Sequence, residues 1–259
     1  EPDPTRPVRV SGYLPVDERL DTTVSRLDEG LWHLRHLGTV SDLQRSVQKE
    51  EDWANAWKDH FQVTRIGRHF VIRPTWREYE PKSGDVMIDL DPGMAFGTGL
   101  HPTTSLCMQW LEDLDLDEKR ILDAGAGSGI LSIGAIKCGA ASSLALEVDP
   151  VAVSALKHNI ELNGLQERID ARVADVTNPL PIEGTFDLIL ANIISRILIE
   201  AADSLCAAAH VGTSLVMSGV IEAHEQDLVD AYLARGFHQT GRRMIGDWVS
   251  LVMVKGQSI

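Results

Sequence analysis

The sequence predicts an α/β protein built on a Rossmann-like, doubly wound sheet of seven strands. From residue 119 onward, short apolar strand patterns alternate with helical patterns, which is typical of parallel strands joined by helices. The last two strand patterns follow each other without a helix, which indicates an antiparallel hairpin. We therefore expect five parallel strands and a C-terminal antiparallel hairpin at one edge of the sheet.

The amino-terminal region indicates part of a smaller α+β domain. Residues 8–14 alternate as a strand, residues 16–34 carry apolar side chains at steps of three and four, and residues 43–47 form a second strand pattern. Two strands alone cannot cover the helix between them, so this βαβ piece is half of a domain.

The chain is accordingly divided into three parts. Residues 1–49 form the partial N-terminal domain, residues 50–60 form a charged linker helix, and residues 61–259 form the main α/β domain.

Two strand patterns and a loop precede the main sheet. Residues 62–90 contain VTRIGRHFVIRP, with a turn at Gly67, and DVMIDL. The segment DPGMAFGTGLHPTT follows from Asp91 and is rich in Gly and Pro. A helix is expected after it, with Thr103 or Thr104 as the N-cap residue.

The main sheet is predicted from strand patterns in chain order. The five parallel strands are RILD, SLALEV, IDARVADV, FDLILANI and SLVMSGV, with a helix expected in every connection between them, and GFHQTGRRMIGDWVSLVMVK supplies the hairpin. Asp149 and Pro150 are expected to cap and open the helix after the second strand.

A glycine-rich turn after the first parallel strand predicts a cofactor site. Gly125, Gly127 and Gly129 stand at alternate positions after the strand that ends at Asp123. A dinucleotide fingerprint GxGxxG needs glycine at position 130, where this chain has Ile130, whereas GxGxG favours S-adenosylmethionine over NAD. We expect Gly125 and Gly127 to lie against the cofactor. The alternative is a turn that binds nothing.

Three strand ends carry further candidate side chains. Glu147 ends the second strand, where a carboxylate can accept hydrogen bonds from ribose hydroxyls, although a surface acid is the alternative. Asp175 ends the third strand and could accept from an adenine amino group or serve only as a turn residue. Asn192 ends the fourth strand, where its carbonyl can accept from an amine directed at the transferred methyl group.

Bulk properties exclude several classes of protein. The net charge of −14 argues against stable nucleic-acid binding and favours a basic protein partner. The three cysteines form no CxxC pair, so neither a disulfide framework nor a metal site is indicated, and no apolar run is long enough for a membrane span. A cytoplasmic monomer is expected. The acidic run 112–118 is interpreted as a solvated helix end.

The motifs AFGTGLHPTT, LDAGAGSGILSI, EVDP and ILANI, in this order, resemble the ribosomal protein L11 methyltransferases. The resemblance extends through EEDWANAWK, VIRPTW and GDWVSL, and so covers nearly the whole chain. It implies an enzyme that transfers methyl groups from S-adenosylmethionine to lysine and α-amino groups of a large-subunit ribosomal protein. It also implies a ferredoxin-like N-terminal domain that grips the substrate, of which this chain shows the latter half.

The resemblance also implies roles for individual residues. The cofactor contacts of the family fall on Thr104, Gly125, Glu147 and Asn192 of this sequence. Glu147 departs from the family, in which Asp is usual at the ribose position. Asn192 is followed by Ile-Ile-Ser and not by the Pro-Pro-aromatic run of glutamine and nucleobase methyltransferases, which disfavours a planar amide or base as substrate.

Proton removal from the amine has one candidate side chain. His101 is the titratable residue of the glycine-rich loop and is either a proton acceptor or part of the loop structure. Three functions remain open from the residues: a protein amine methyltransferase, an RNA methyltransferase on the same fold, and a cofactor-binding module without catalysis.

Overall fold

The computed structural model describes residues 14, 20–36, 61–91, 99 and 101–257. The chain divides into two compact units, residues 1–58 and residues 59–259. In the first unit the described element is helix α1, Leu20–His36, which confirms the helix predicted there. Apart from Leu14, the predicted strands at 8–14 and 43–47 and the linker helix 50–60 lie outside the described residues.

The second unit begins with a small three-stranded sheet. Strand β1 spans Thr64–Ile66, β2 spans Phe70–Arg73 and β3 spans Val86–Asp89. β1 and β2 are antiparallel around Gly67, which has a φ of 60°, and β2 pairs with β3 in parallel. The turn predicted at Gly67 is confirmed.

The main sheet has seven strands, as predicted. Their bounds are β4 Arg120–Ala124, β5 Ser142–Glu147, β6 Ile169–Val173, β7 Phe186–Asn192, β8 Ala209–Ile221, β9 Phe237–Ile245 and β10 Trp248–Lys255. The spatial order is β6-β5-β4-β7-β8-β10-β9. β4 to β8 are parallel, and β10 lies antiparallel between β8 and β9. The five parallel strands and the C-terminal hairpin are confirmed.

Helices pack on both faces of this sheet. They are α2 Pro102–Leu111, α3 Ile130–Lys137, α4 Pro150–Leu162, α5 Ser195–Glu200, α6 Ala202–Ala207 and α7 Glu225–Leu233, with a 3-10 turn at Glu222–His224. One buried cluster contains Ile121, Leu190 and Val216 with residues of α2 and α3. A second contains Leu122, Ile189 and Leu215 with residues of α5, α6 and α7. Successive residues of a strand thus point to opposite faces.

One predicted helix is absent. We expected a helix in every connection between the parallel strands, but residues 174–185, between β6 and β7, contain only turns and extended backbone. Pro179 and Pro181 lack the N–H that a helix interior needs, and Gly184 adopts a positive φ of 74°. The prediction was wrong because these breakers override the alternation seen elsewhere.

The N-cap of α2 also differs from the prediction. His101, and not Thr103 or Thr104, is the cap: its backbone is extended and its Nδ1 accepts from the Thr103 N–H at 3.4 Å. Pro102 takes the first helical position, where its missing N–H costs nothing, and the cap therefore lies two residues before Thr103. Asp149 caps α4 as expected, and its side chain accepts from the Val151 N–H at 2.9 Å.

Candidate functional site

The carboxyl ends of three neighbouring strands bring the predicted site residues to one edge of the sheet. β4 lies between β5 and β7, where the strand order changes direction. The glycine turn follows β4, Glu147 ends β5 and Asn192 ends β7. In open α/β sheets this topological switch point is where ligands bind.

The glycine turn is held by backbone hydrogen bonds and requires glycine. The N–H groups of Gly125 and Ala126 both donate to the Leu146 carbonyl, at 2.8 and 2.9 Å. Gly125 has a φ of 76°, and a Cβ placed on it would lie 2.4 Å from Cγ2 of Ile193. Any side chain at position 125 would therefore meet both backbone strain and a packed neighbour.

Glu147 ties the glycine turn to the next turn. Its Oε2 accepts from the Gly127 N–H at 3.0 Å, and its Oε1 accepts from the N–H groups of Val148 and Asp149 at 2.9 and 3.2 Å. The carboxylate is half-buried at the end of β5. Glu147 thus joins the glycine turn after β4 to the turn after β5.

Asn192 and Thr104 meet at the end of β7. The Asn192 Nδ2 donates to Thr104 Oγ1 at 3.3 Å, which joins the strand end to the first turn of α2. The Thr104 side chain is fully buried. The Asn192 Oδ1 is also buried and has no hydrogen-bond partner. A buried acceptor without a donor is rare in native proteins and requires an explanation, of which a ligand N–H or O–H is one.

His101 lies one turn before Thr104, and its side chain contacts Thr103 and Trp248. Its Nδ1 is 2.8 Å from Thr103 Oγ1, in addition to its capping bond. Its ring lies edge-on to the indole of Trp248, with the ring centroids 4.9 Å apart. The His101 side chain therefore caps the start of α2 and packs against Trp248, the first residue of β10.

Asp175 lies in a local turn beyond β6. Its Oδ1 accepts from the N–H and the hydroxyl of Thr177, at 2.9 and 2.7 Å. These hydrogen bonds lower the pKa of the exposed carboxyl below its ordinary value. Among the hydrogen bonds of the described residues, none links Asp175 to the glycine turn, so the turn role considered for it is present.

Asp123 is a further candidate that the sequence interpretation passed over. It is 1% exposed, and its Oδ2 accepts from the Ser132 N–H at 3.0 Å and from the Ser132 hydroxyl at 2.7 Å. Its Oδ1 has no partner. Burial raises the pKa of Asp123 to about 6, the nearby charge of Glu147 adds to the rise, and the Ser132 hydrogen bonds oppose it. In the sequence, Asp123 could have been recognised as an acidic residue at the end of a strand, two positions before the first glycine of GxGxG.

The described residues show neither a metal cluster nor a reactive thiol. No group of three or more His, Cys, Asp or Glu side chains there could hold a metal ion. All three cysteines are free, and burial raises the pKa of Cys107 to about 12, so its thiol is inert. No helix in the described part of the chain has the length and apolarity needed to span a bilayer.

Comparisons with known proteins agree on one family. The sequence profile of the family described as ribosomal protein L11 methyltransferase (PrmA) matches residues 2–256. Proteins of that name are 42% identical to this chain in Herpetosiphon aurantiacus and 40% identical in Chloroflexus aurantiacus; each alignment covers 96% of this chain and 83% of the relative. The crystal structure of a ribosomal protein L11 methylase from Lactobacillus delbrueckii subsp. bulgaricus superposes with a TM-score of 0.69 at 31% identity, over 76% of this chain and 100% of that one.

Proposed function

The chain belongs to the ribosomal protein L11 methyltransferase family, and from this premise we propose that it methylates amines of ribosomal protein L11 with S-adenosylmethionine as donor. The acceptors are lysine ε-amino groups and the N-terminal α-amino group. The observation that carries the proposal is the buried Asn192 Oδ1, an acceptor without a donor, beside a glycine turn of the type that this cofactor requires.

The residues at the carboxyl ends of β4, β5 and β7 fit S-adenosylmethionine. Gly125 leaves bare backbone in the turn, with Ile193 packed where a side chain of residue 125 would lie, and the Glu147 carboxylate stands at the strand end where a ribose diol is recognised. The N–H of Gly127 donates to the Glu147 carboxylate. We assign these three residues and Thr104 to the cofactor, and Asp175 to its adenine amino group. When bound, the cofactor supplies an electrophilic methyl group on a sulfonium.

Asn192 positions the acceptor amine. Its Oδ1 accepts an N–H of the incoming amine, while its Nδ2 is held by Thr104 Oγ1. These two contacts set the orientation of the amide. If the amide were rotated by half a turn, its Nδ2 would face the amine, and both groups would be donors. Methyl transfer to nitrogen is a displacement in which alignment of the reacting atoms supplies much of the acceleration.

The amine must be neutral to attack. A lysine with a pKa of about 10.4 is mostly protonated at neutral pH, so the site must desolvate it or release its proton. Asn192 cannot accept a proton. His101 has its Nδ1 committed to the α2 cap, which supports a structural role, and we assign the proton to solvent water.

The partner is a basic protein. The net charge of −14 attracts a basic surface and repels the phosphates of RNA. We propose that residues 1–49 contribute to substrate capture, that residues 50–60 link them to the rest, and that residues 61–259 carry the chemistry. The monomeric chain would act in the cytoplasm, where its ribosomal substrate is made.

The experiment uses methyl-labelled S-adenosylmethionine with three acceptors in parallel: purified L11, a total ribosomal protein mixture and protein-free ribosomal RNA. Label is expected on L11 and on one protein of that mass in the mixture, and mass spectrometry should place it on lysine and α-amino nitrogens. Label on RNA alone would assign the chain to RNA methylation, and no label on any acceptor would make it a binding module.

A further inference from the structure

Three apolar side chains form a row across the last strands of the sheet, beyond the end of β7. Trp248 opens β10 and pairs with Ile221 of β8 on one side and with Ile245 of β9 on the other. Residues directly opposite each other in antiparallel strands have their side chains on the same face. We call Ile221, Trp248 and Ile245 the apolar row.

The apolar row is not covered by the described residues. Ile221 is 39% exposed and Ile245 is 37% exposed, and Trp248 is partly exposed, although the next residue of β10, Val249, is fully buried. Isolated apolar side chains on a surface need no explanation, but three in one cross-strand row form a continuous contact surface.

The row continues directly from the candidate active site. Asn192 pairs with Ser218 in the sheet, and β8 runs on from Ser218 to Ile221. On the same side, the Trp248 indole touches His101, which caps the helix that holds Thr104 against Asn192. The apolar row therefore starts three residues beyond the strand partner of Asn192 and contacts the residue that caps the helix carrying Thr104.

We propose that the apolar row docks the amine-bearing segment of the protein substrate, by packing against the aliphatic and apolar side chains that flank the methylated lysine. This inference rests on the proposed function. A lysine presents an aliphatic stem behind its amine, so a surface that leads away from the amine-binding amide suits that stem and its neighbours.

A second copy of this chain suits the row less well. A stable protein interface buries about 800 Å² on each partner, far more than three partly exposed side chains offer. The net charge of −14 also opposes self-association and favours a basic partner. The small size of the row instead suits a short segment of a substrate that makes most of its contacts with other parts of the chain.

The test compares the double variant Ile221→Thr/Ile245→Thr with Val211→Thr. Threonine keeps the β-branch that suits a strand and removes the apolar contact. Val211 lies on the same strand, β8, at its opposite end, and is 57% exposed, so it is a matched control. The readouts are the steady-state constants with purified L11, the Kd for L11, and the Kd for S-adenosylhomocysteine.

The double variant should raise the KM and the Kd for L11 about tenfold, which corresponds to about 1.4 kcal/mol, while kcat at saturation and the Kd for S-adenosylhomocysteine stay unchanged. The Val211→Thr control should match the wild type. Unchanged KM and Kd for L11 in the double variant would overturn the proposal. The proposal would also be overturned if the wild type sediments as a dimer and the double variant as a monomer, because the row would then join two copies of the chain.

The two proposals fail in different ways. If L11 binds the wild type and binds the double variant more weakly, but neither protein methylates it, the docking surface is supported and the proposed reaction is wrong. If L11 is methylated and the double variant behaves as wild type, the reaction stands and the docking surface is wrong. A wild-type chain that fails to bind L11 overturns both.

Discussion

The Asn192 amide donates from Nδ2 to the Thr104 hydroxyl at 3.3 Å, across 88 positions in sequence. This hydrogen bond joins the end of a central strand to the first turn of α2 and leaves the Asn192 Oδ1 buried without a donor. An amide held at one end and unsatisfied at the other is the basis of the role proposed for Asn192 in orienting the amine.

The first prediction concerns cofactor choice. S-adenosylmethionine and S-adenosylhomocysteine should each raise the melting temperature, because a ligand that binds only the native state stabilises it by mass action, by about 2.7 kcal/mol at a hundred times its Kd. NAD should leave the melting temperature unchanged, since Ile130 stands where a dinucleotide turn needs glycine. Differential scanning fluorimetry measures all three ligands, and equal shifts from NAD and S-adenosylmethionine would refute the assignment.

The second prediction concerns Gly125→Val, which should abolish binding of S-adenosylmethionine in calorimetry. The new Cβ would meet Ile193 Cγ2 at 2.4 Å and hold the backbone away from a ligand. Gly164→Val is the matched control, since Gly164 also has a positive φ, 65°, but nothing within 4 Å of its Cβ position. The control should lose about 1 to 3 kcal/mol of stability from backbone strain alone and keep normal binding.

A second variant separates binding from folding at this position. Gly125→Ala/Ile193→Ala removes the atom that the new Cβ would meet, so it should unfold closer to the wild-type temperature than Gly125→Ala alone. It should still bind the cofactor poorly, because an alanine at a φ of 76° remains strained and shifts the backbone of the turn. Normal affinity in the double variant would make the glycine a purely structural residue.

The third prediction concerns the buried Asp123. Its pKa rises from 3.8 in the unfolded chain to about 6 in the folded protein, so the folded state holds the proton more tightly. Stability is therefore highest below pH 4 as far as this group is concerned, falls by about 1.4 kcal/mol per pH unit up to about pH 6, and stays reduced above it. In urea titrations from pH 4 to 8, Asp123→Asn should remove this fall of about 3 kcal/mol. Identical pH profiles for variant and wild type would contradict the burial argument.

The elements around the site follow from local sequence patterns. Glycine, apolar runs and capping residues act on their immediate neighbours. This is why the sequence predicted the glycine turn, the end of β5 at Glu147 and the Asp149 cap. The sequence predicted five parallel strands and a hairpin but not their spatial order, because strand pairing joins segments that are far apart in sequence. The Asn192–Thr104 hydrogen bond is of this long-range kind, and no local pattern indicates it.

The acidic run 112–118 is a helix end and turn in which Asp113, Asp115, Asp117 and Glu118 are exposed, as predicted, but Glu112 departs from that prediction. Glu112 was expected in a solvated helix end, but its side chain is 4% exposed and accepts from the N–H groups of Arg68 and His69 at 2.8 and 2.6 Å. It joins the turn between β1 and β2 to the end of α2. A glutamate that satisfies backbone donors of a distant turn carries no periodic signal, so burial could not be predicted from its charged neighbours.

The fourth prediction concerns Glu147→Ala, which should raise the KM for S-adenosylmethionine about 10- to 100-fold, since hydrogen bonds to a charged group contribute about 1.5 to 3 kcal/mol. Turnover at saturating cofactor should persist, because ribose contacts are equal in the ground and transition states. The variant should also lose stability, because the Gly127, Val148 and Asp149 N–H groups lose their acceptor. Glu161→Ala, an exposed change on α4, serves as control. A stability loss with an unchanged KM would limit Glu147 to holding the turn.

The last prediction separates the two halves of the Asn192–Thr104 pair. Asn192→Ala should lower kcat on L11 by about 2 to 3 powers of ten, since misplacement of reacting atoms has an effect of that order, while the Kd for S-adenosylhomocysteine changes little. Thr104→Val keeps the shape and removes the acceptor of the Asn192 N–H, so it should lower kcat about tenfold through a loosened amide. If the hydroxyl acts on the amine only through Asn192, the double variant should be no slower than Asn192→Ala. Single-turnover rates at saturating substrate measure all three, with Asn163→Ala, a structural amide that donates to the Asp89 carbonyl, as the control that should lose stability but not rate. Should Asn192→Ala keep the wild-type kcat and lose only cofactor affinity, its part in orienting the amine must be withdrawn.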